Sequence, residues 1–399
     1  MSGPLVNKHI VLGVTGSIAS YKAIDLASKL TQAGALVDTI LTYGATQFVT
    51  PLAFRSITHR DVITDLYDLD SEFSNEHVAL ARRADIVTIV PATVNCIAKL
   101  AWGMADDPLT TTVVATEAPL LIAPAMDGNM YSHPATQDNL QILERRGVVI
   151  VGPDQGYLAS GLSGKGRLVD PTQLVGHIAA ALGKKGDLSG KKIVISAGGT
   201  QEPIDPVRVI TNNSSGKMGY AIAEAARDRG AEVILITAPT SLSDPPSITV
   251  KNVTTAAEMC SLVLSEVTDS DALIMSAAVA DYRPKTSAEQ KIKKSNSGLT
   301  IDLTKTEDIL EKATGNFVKV GFSAESENLV SNATEKIGRK SLDLIVANDI
   351  TDPDSGFGKD TNKVVIIDDQ LQAEHLPILT KYDVGNEILN RVLKVISTR

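Results

Sequence analysis

Residues 9–42 read HIVLGVTGSIASYKAIDLASKLTQAGALVDTILT, and their order of patterns decides the fold. The first six are a β-branched apolar run that stops at the small residues TGSIAS. Apolar residues Ile24, Ala27 and Leu30 then recur at the spacing of one helix face. Gly34 stands where a helix end takes a left-handed residue, and ALVDTILT is a second strand. Strand, short turn, helix and strand together predict a parallel β-α-β unit.

The pattern recurs at 192–237, where KIVISA runs into a glycine turn, a helix through YAIAEAARDRG and the strand AEVILIT. The two strand starts (9 and 192) are 183 residues apart, but the helix-ending glycines (34 and 230) are 196 apart. The second unit therefore carries 13 extra residues. They fall in QEPIDPVRVITNNSSG, whose prolines and polar residues are expected to lie outside a core. Extra loop after a parallel strand is where open α/β sheets hold ligands.

Further strands are expected at DIVTIV, PLLIAP and VVIVGP, and at DALIMSA, FVKVGF, DLIVAND and VVIID, all fitting parallel sheets with helices on both faces. Between the units, ALGKKGDLSGKK (181–192) lacks an apolar period. We expect domains at 1–186 and 187–399, which suits a chain of 399 residues. The fold class is α/β, with two Rossmann-like domains built on parallel sheets.

The composition is 43% apolar and 21% charged, with no apolar stretch of membrane-spanning length and no signal-peptide layout at the start. Cys96 and Cys260 are too far apart to suggest a metal cluster, and no metal ligands are assigned. A cytoplasmic protein is expected. A net charge of −9 argues against nucleic acid as a partner, and small molecules fit better.

Two glycine-rich runs invite a phosphate-loop reading: YLASGLSGKGR (157–167) and NNSSGKMG (212–219). A P-loop needs glycine five residues before its Gly-Lys pair and Ser/Thr after it. The required positions hold Ala159 and Gly166 in the first run, and Thr211 and Met218 in the second. Neither is a P-loop. Neither first turn contains G-x-G-x-x-G, which argues against a nicotinamide cofactor.

TGSIASYK (15–22), TYGATQFVTP (42–51), PATVNCIAKLAWGMADD (91–107) and PAMDGNMY (124–131) resemble the flavin-dependent decarboxylases of aminoethenethiol chemistry. With the second half included, the chain resembles the bifunctional phosphopantothenoylcysteine decarboxylase / phosphopantothenate-cysteine ligase family of coenzyme A biosynthesis. The resemblance implies an N-terminal flavodoxin-like flavoprotein domain and a C-terminal ligase domain. It implies FMN as cofactor, with Gly16, Ser17 and Thr42 at its phosphate and Ala92, Thr93, Asn95 and Ala105 beside the ribityl chain and ring. The bland reading of Gly16 and Ser17 is a tight turn. His77, in NEHVALARRAD, matches the family's catalytic histidine.

Two positions depart from the family. YLASGLSGKGR aligns with the substrate-covering lid, whose proton-donating cysteine is here Ser160. The asparagine that holds the substrate carboxylate is here Asp127. A serine is a far weaker acid than a thiol of pKa near 8.5, and an ionised aspartate only accepts hydrogen bonds. One expectation is a protonated Asp127, its pKa raised by burial, that supplies the proton. The other is a flavin-binding scaffold that has lost the final step. Cys96 as a substitute acid competes with its reading as a buried structural thiol.

SAGGTQEPIDPVRVITNNSSGKMG (196–219) resembles the ligase signature. The resemblance implies that 4'-phosphopantothenate is activated by CTP with Mg²⁺ as an acyl-nucleotidylate, which the amine of cysteine then opens. Gly198 and Gly199 are implied at the nucleotide, and Asn212 at the intermediate. Arg208, read as one helical turn before Asn212, suits a carboxylate or phosphate. Lys217 has a bland alternative as a solvated surface charge. Lys291, Asp281, Asp308, Ile309, Phe322, Lys336 and Lys340 match nucleotide contacts, although KTEDIL lacks the Asn-Pro usual before the aspartate. A homo-oligomer is implied, from trimers of the flavin domain and dimers of the ligase domain.

Overall fold

The computed structural model describes residues 3–67, 76–294, 299–325, 329–349 and 358–399. The chain divides into two units, Met1–Gly183 and Lys184–Arg399.

The first unit is built on six parallel strands, β1 (His9–Val14), β2 (Leu36–Leu41), β3 (Val62–Ile63), β4 (Ile86–Ala92), β5 (Leu120–Pro124) and β6 (Val149–Ile150). Their order is β3-β2-β1-β4-β5-β6, so the strand order reverses between β1 and β4, where a doubly wound sheet opens its ligand crevice. Alternation along β1 supplies both faces. Ile10, Leu12 and Val14 pack with Leu26, Leu30 and Ile178, while Val11 packs with Val87, Ile89 and Ile97. The first helix, Tyr21–Gln32, buries Ala23, Leu26, Ala27 and Leu30. Gly34 follows it at φ +86°. A hairpin of β7 (Asp154–Tyr157) and β8 (Ser163–Arg167) stands outside the sheet.

The second unit repeats the plan. Its strands are β9 (Lys192–Ala197), β10 (Gln201–Pro203), β11 (Val209–Thr211), β12 (Glu232–Thr237), β13 (Thr249–Asn252), β14 (Ala272–Met275), β15 (Tyr282–Pro284), β16 (Leu303–Lys305), β17 (Val318–Glu325), β18 (Leu344–Asp349), β19 (Thr361–Asn362), β20 (Val364–Asp368), β21 (Ala373–His375) and β22 (Leu379–Thr380). The main sheet runs β13-β12-β9-β14-β17-β18-β20-β21. Its first six strands reproduce the arrangement of the first unit. VVIID, expected as a parallel strand, is instead antiparallel to β18, and β21 is antiparallel to it in turn. An antiparallel edge strand needs no helical crossover to reach its place.

The 13 additional residues contribute to the β10–β11 hairpin. Their expected exclusion from the interior is wrong for two carboxylates: Glu202 is 1% exposed and Asp205 is 2% exposed. Both are satisfied by backbone N–H groups, the condition under which a polar group tolerates burial. Glu202 accepts from Ala256 N at 2.8 Å. Among the described residues, no helix is long and apolar enough to cross a membrane.

Candidate active sites

In the first unit, β1, β2, β4 and β5 are each followed by a capped helical turn at the same sheet edge. Ser17 accepts from Ala19 N, Thr42 from Ala45 N, Thr93 from Cys96 N and Asp127 from Asn129 N. Three of these caps are residues expected at a flavin. Side-chain capping satisfies one orphan donor per helix start, and other N–H groups there are available to an anion.

The turns are tied to one another. Thr15 Oγ1 donates to Pro91 O at 2.7 Å and accepts from Thr93 N at 3.1 Å, so the Gly16 turn is fastened to Pro91 and Thr93. A Cβ on Gly16 would lie 2.8 Å from the Gly44 backbone, so the loops after β1 and β2 touch. Thr15 and Gly44 were missed in the sequence; the glycine two residues after Thr42 was an available signal for Gly44, and nothing in the chain marked Thr15. Asn95, at the start of the helix after β4, and Tyr43 (81%), just after β2, are exposed at this edge. Trp102 (73%) and Ala105 are instead exposed at and beyond the far end of the helix Val94–Trp102. Small turns that permit close approach, flanked by aromatic surface, fit a flavin phosphate and ring.

His77 is half-buried in the first turn of the helix Glu76–Arg83. That helix is pinned from its far end, where Arg83 and Arg60 both contact the buried carboxylate of Asp38. Among the described residues, no hydrogen bond joins His77 to Asp127 or Ser160.

The run 157–167 forms one strand and the tip of the β7–β8 hairpin. It docks on the loop after β5 through Met126 N, which donates to Gly166 O at 3.0 Å. Lys165 sits over the Tyr131 ring at 5.1 Å. At the tip, Ser160 Oγ donates to Asp127 Oδ2 at 2.7 Å. This overturns the expected proton-donating Asp127. The hydrogen bonds from Ser160 and Asn129 N hold its carboxyl below the usual range, and burial is the weaker, opposing effect. Cys96 is no substitute acid: burial, with Asp107 adding to it, pushes its thiol up to about 12.

In the second unit the turn after β9 is crowded. A Cβ on Gly199 would lie 2.7 Å from Asn212 O, and Gly198 takes φ +80° against Ala238 O. Asn212 Nδ2 donates to Val279 O at 3.2 Å. Thr200 Oγ1 accepts from Ala280 N, and Thr306 N donates to Asp281 O. Gly198, Gly199, Asn212 and the Val279–Asp281 segment therefore meet at one edge. The helix Lys217–Arg227 starts at Gly216 without a side-chain cap, which leaves first-turn N–H groups for phosphate.

Arg208 is not a helical turn from Asn212. Residues 209–211 are extended as β11, which puts Arg208 at the hairpin tip and Asn212 at its base, about 13 Å away at strand rise. Its guanidinium contacts Asp205 Oδ2 at 3.4 Å and donates to Ile292 O at 3.1 Å. Lys291 is exposed on the segment so held. Lys217 is not merely solvated: its ammonium donates to Asp360 Oδ1 at 2.6 Å and to Gly358 O.

A further group lies at β17 and its neighbours. Phe322 is half-buried on β17, and Lys336 Nζ donates to Ser323 Oγ at 2.8 Å. Lys340 pairs with Asp308 at 2.7 Å. Asp308 also caps the short helix Ile309–Lys312, whose Ile309 is buried, so its side chain is committed to the core. Among the described residues, no group of three or more His, Cys, Asp or Glu is placed to hold a metal ion.

Comparison with known proteins agrees with this division. Residues 1–183 match the family described as Flavoprotein. Residues 188–396 match the DNA/pantothenate metabolism flavoprotein C-terminal domain family. The chain is 46% identical over 397 residues to the coenzyme A biosynthesis bifunctional protein CoaBC of Bacillus subtilis (strain 168), covering 97% of each. It is 44% identical over 366 residues to the protein of that name from Escherichia coli (strain K12), covering 90% of each. A crystal structure of the C-terminal domain of a CoaBC protein is matched at 39% identity and TM-score 0.47, covering 54% of this chain and all of that one. With relatives this similar along both units, the chain belongs to the CoaBC family of bifunctional coenzyme A biosynthesis proteins.

Proposed function

We propose that the two units, bounded near residue 186, catalyse consecutive steps of coenzyme A biosynthesis. The second couples 4'-phosphopantothenate to cysteine, and the first decarboxylates the product to 4'-phosphopantetheine. The observation that supports this reading is that each sheet opens its carboxyl edge into small-residue turns and helix starts, where the matching signatures lie.

In the first unit, Gly16, Ser17 and Thr42 would hold the FMN phosphate through backbone donors. Ala92, Thr93, Asn95 and Ala105 would border the ribityl chain and ring. Bound FMN supplies the electron sink that loss of CO₂ requires. His77 serves as acid or base at the reacting thiol. Asp127, ionised, orients the Ser160 hydroxyl. Ser160 is exposed, so its hydroxyl would turn from Asp127 to give its own proton to the product carbon and take one back from water.

In the second unit, Gly198, Gly199 and the uncapped helix start at Gly216 would cradle the CTP phosphates, with Lys291, Lys336 and Lys340 offsetting their charge. Phe322, Asp281 and the backbone at Asp308 and Ile309 would border the nucleoside. Mg²⁺ arrives with the triphosphate and shares its charge. Asn212 steadies the acyl-nucleotidylate while cysteine attacks, and Arg208 attracts the anionic substrate. The exposed Tyr43 and Trp102 suit self-association, with trimers of the first unit and dimers of the second, in the cytoplasm.

Mass spectrometry of products from the FMN-loaded chain tests this reading. With 4'-phosphopantothenate, cysteine, CTP and Mg²⁺, 4'-phosphopantetheine is expected. Accumulation of phosphopantothenoylcysteine would reduce the first unit to a scaffold, and no product at all would overturn the reading.

A further inference from the structure

Asp205 is the most deeply buried carboxylate at the β10–β11 hairpin tip, its side chain wholly inaccessible. One of its oxygens accepts from Val207 N at 2.8 Å and Arg208 N at 2.9 Å, which shapes the tip. The other reaches out of the hairpin and accepts from Ile292 N at 3.1 Å, 87 residues along the chain. Arg208 completes the clasp, since its guanidinium contacts that same oxygen and donates to Ile292 O. Ile292 is therefore held at both its N–H and its carbonyl. A second tie runs from Ala288 N to Ile204 O at 3.0 Å.

Burial opposes the charge on Asp205, but the N–H groups of Val207, Ile292 and Arg208 outweigh it, together with the Arg208 guanidinium. The carboxylate stays ionised while hidden. Hydrogen bonds to a charged acceptor are the stronger kind, so the clasp is a firm anchor on a segment whose lysines are all exposed. The hairpin's other end, at Asn212, touches the Gly199 turn and Val279. One two-stranded element thus spans from the Gly199 turn to the backbone beside Lys291.

We propose that Asp205 is a positioning residue of the ligase, which fixes Lys291 in register with the phosphate-binding turn by clamping Ile292. This rests on the reading of Lys291 as a nucleotide contact given above. Arg208 then has a structural duty besides any contact with substrate.

The test uses the full FMN-loaded chain and CTP as the probe. Asp205→Asn keeps the shape and the acceptors for the tip, but removes the charge that holds Ile292 and Arg208. We expect the KM for CTP to rise about tenfold or more, the scale of one lost charge-assisted hydrogen bond. We expect kcat to change less and phosphopantothenoylcysteine decarboxylation not at all. In a Lys291→Ala background, Asp205→Asn adds no further loss if it acts through Lys291. Losses that multiply, or an unchanged KM, overturn the proposal.

Ile292→Pro removes the same hydrogen bond from the other side, since proline has no N–H. It is expected to raise the KM in the same way if Asp205→Asn fails to fold, and an unaltered KM there overturns the proposal equally. Should Lys291→Ala leave CTP binding intact, the reading of Lys291 falls. Amide exchange at Ile292, slow in the parent chain and faster in Asp205→Asn, reports the clamp separately.

Discussion

Ser160 donates its hydroxyl hydrogen to Asp127 across 2.7 Å, so the two positions that the resemblance led us to expect as departures from the family are in direct contact. One residue closes the tip of the β7–β8 hairpin and the other caps the helical turn after β5. A carboxylate there accepts a hydrogen bond from a serine hydroxyl, and the two residues form a matched pair.

The pair makes a prediction about the final proton. Ser160→Ala should lower decarboxylation by about 10²-fold, the lower end of what a positioned proton donor contributes, and should release product two hydrogens lighter than phosphopantetheine. Ser160→Cys should restore or raise the rate, because a thiol is the stronger acid. Mass spectrometry of products reads both. An Ser160→Ala variant as fast as the parent would show that another group delivers the proton.

Asp127 sets a pH dependence whose sign follows from its depressed pKa. Its hydrogen bonds in the docked hairpin favour the ionised form, so the docked state gains from them above the ordinary carboxyl value of 3.8. That gain is lost as pH falls through the depressed pKa. Between about pH 5 and 8 no titration of Asp127 should appear in kcat, and Asp127→Asn should alter the amplitude but not the acid limb. A limb near neutrality that vanishes in Asp127→Asn would contradict the geometry.

Cys96 is predicted to be inert. It is 4% exposed, and burial pushes its thiol up to about 12, so almost none is thiolate at pH 8. Iodoacetamide should leave it unmodified in the native chain, and Cys96→Ser should decarboxylate within about twofold of the parent. Rapid alkylation accompanied by loss of activity would return it to the list of acids.

Gly199→Ala is predicted to abolish ligation and spare decarboxylation. Its Cβ would sit 2.7 Å from Asn212 O, closer than backbone tolerates, so the base of the hairpin must move away from the turn. Parallel assays of the two half-reactions check it, and an alanine variant with intact ligation would mean that this close approach is not needed.

Tyr382→Phe addresses stability. Tyr382 donates to Asp228 Oδ2 at 3.0 Å beside the buried Arg227–Asp228 pair. Loss of that donor from a buried carboxylate should cost about 1–3 kcal/mol. The Tm of the second unit should fall by ~2–4 °C per kcal/mol, as read by calorimetry. No change in Tm would place the stabilisation of Asp228 wholly on Arg227.

The repeat of HIVLGV and KIVISA as the first strands of two β-α-β units was legible in the chain, because parallel strands buried on both faces are continuous apolar runs. Ser17, Thr42 and Thr93 entered through the family resemblance as flavin contacts, and that each caps a helical turn was decided by the fold. Thr15 was not legible, because a threonine ending an apolar strand looks the same whether or not it fastens two loops. The antiparallel direction of VVIID was equally hidden, since periodicity carries no sign of strand direction.

By itself, then, the sequence determined two doubly wound units, their order and the small-residue turns at their strand ends, because those properties are local and repeat with the period of a strand or helix. Only the tertiary structure decided which distant residues answer one another. Ser160 meets Asp127, Ile292 is clasped by Asp205 and Arg208, and Lys340 pairs with Asp308. Each of these contacts joins segments with no shared pattern. Its charge state depends on burial and on donors that the chain supplies only once folded.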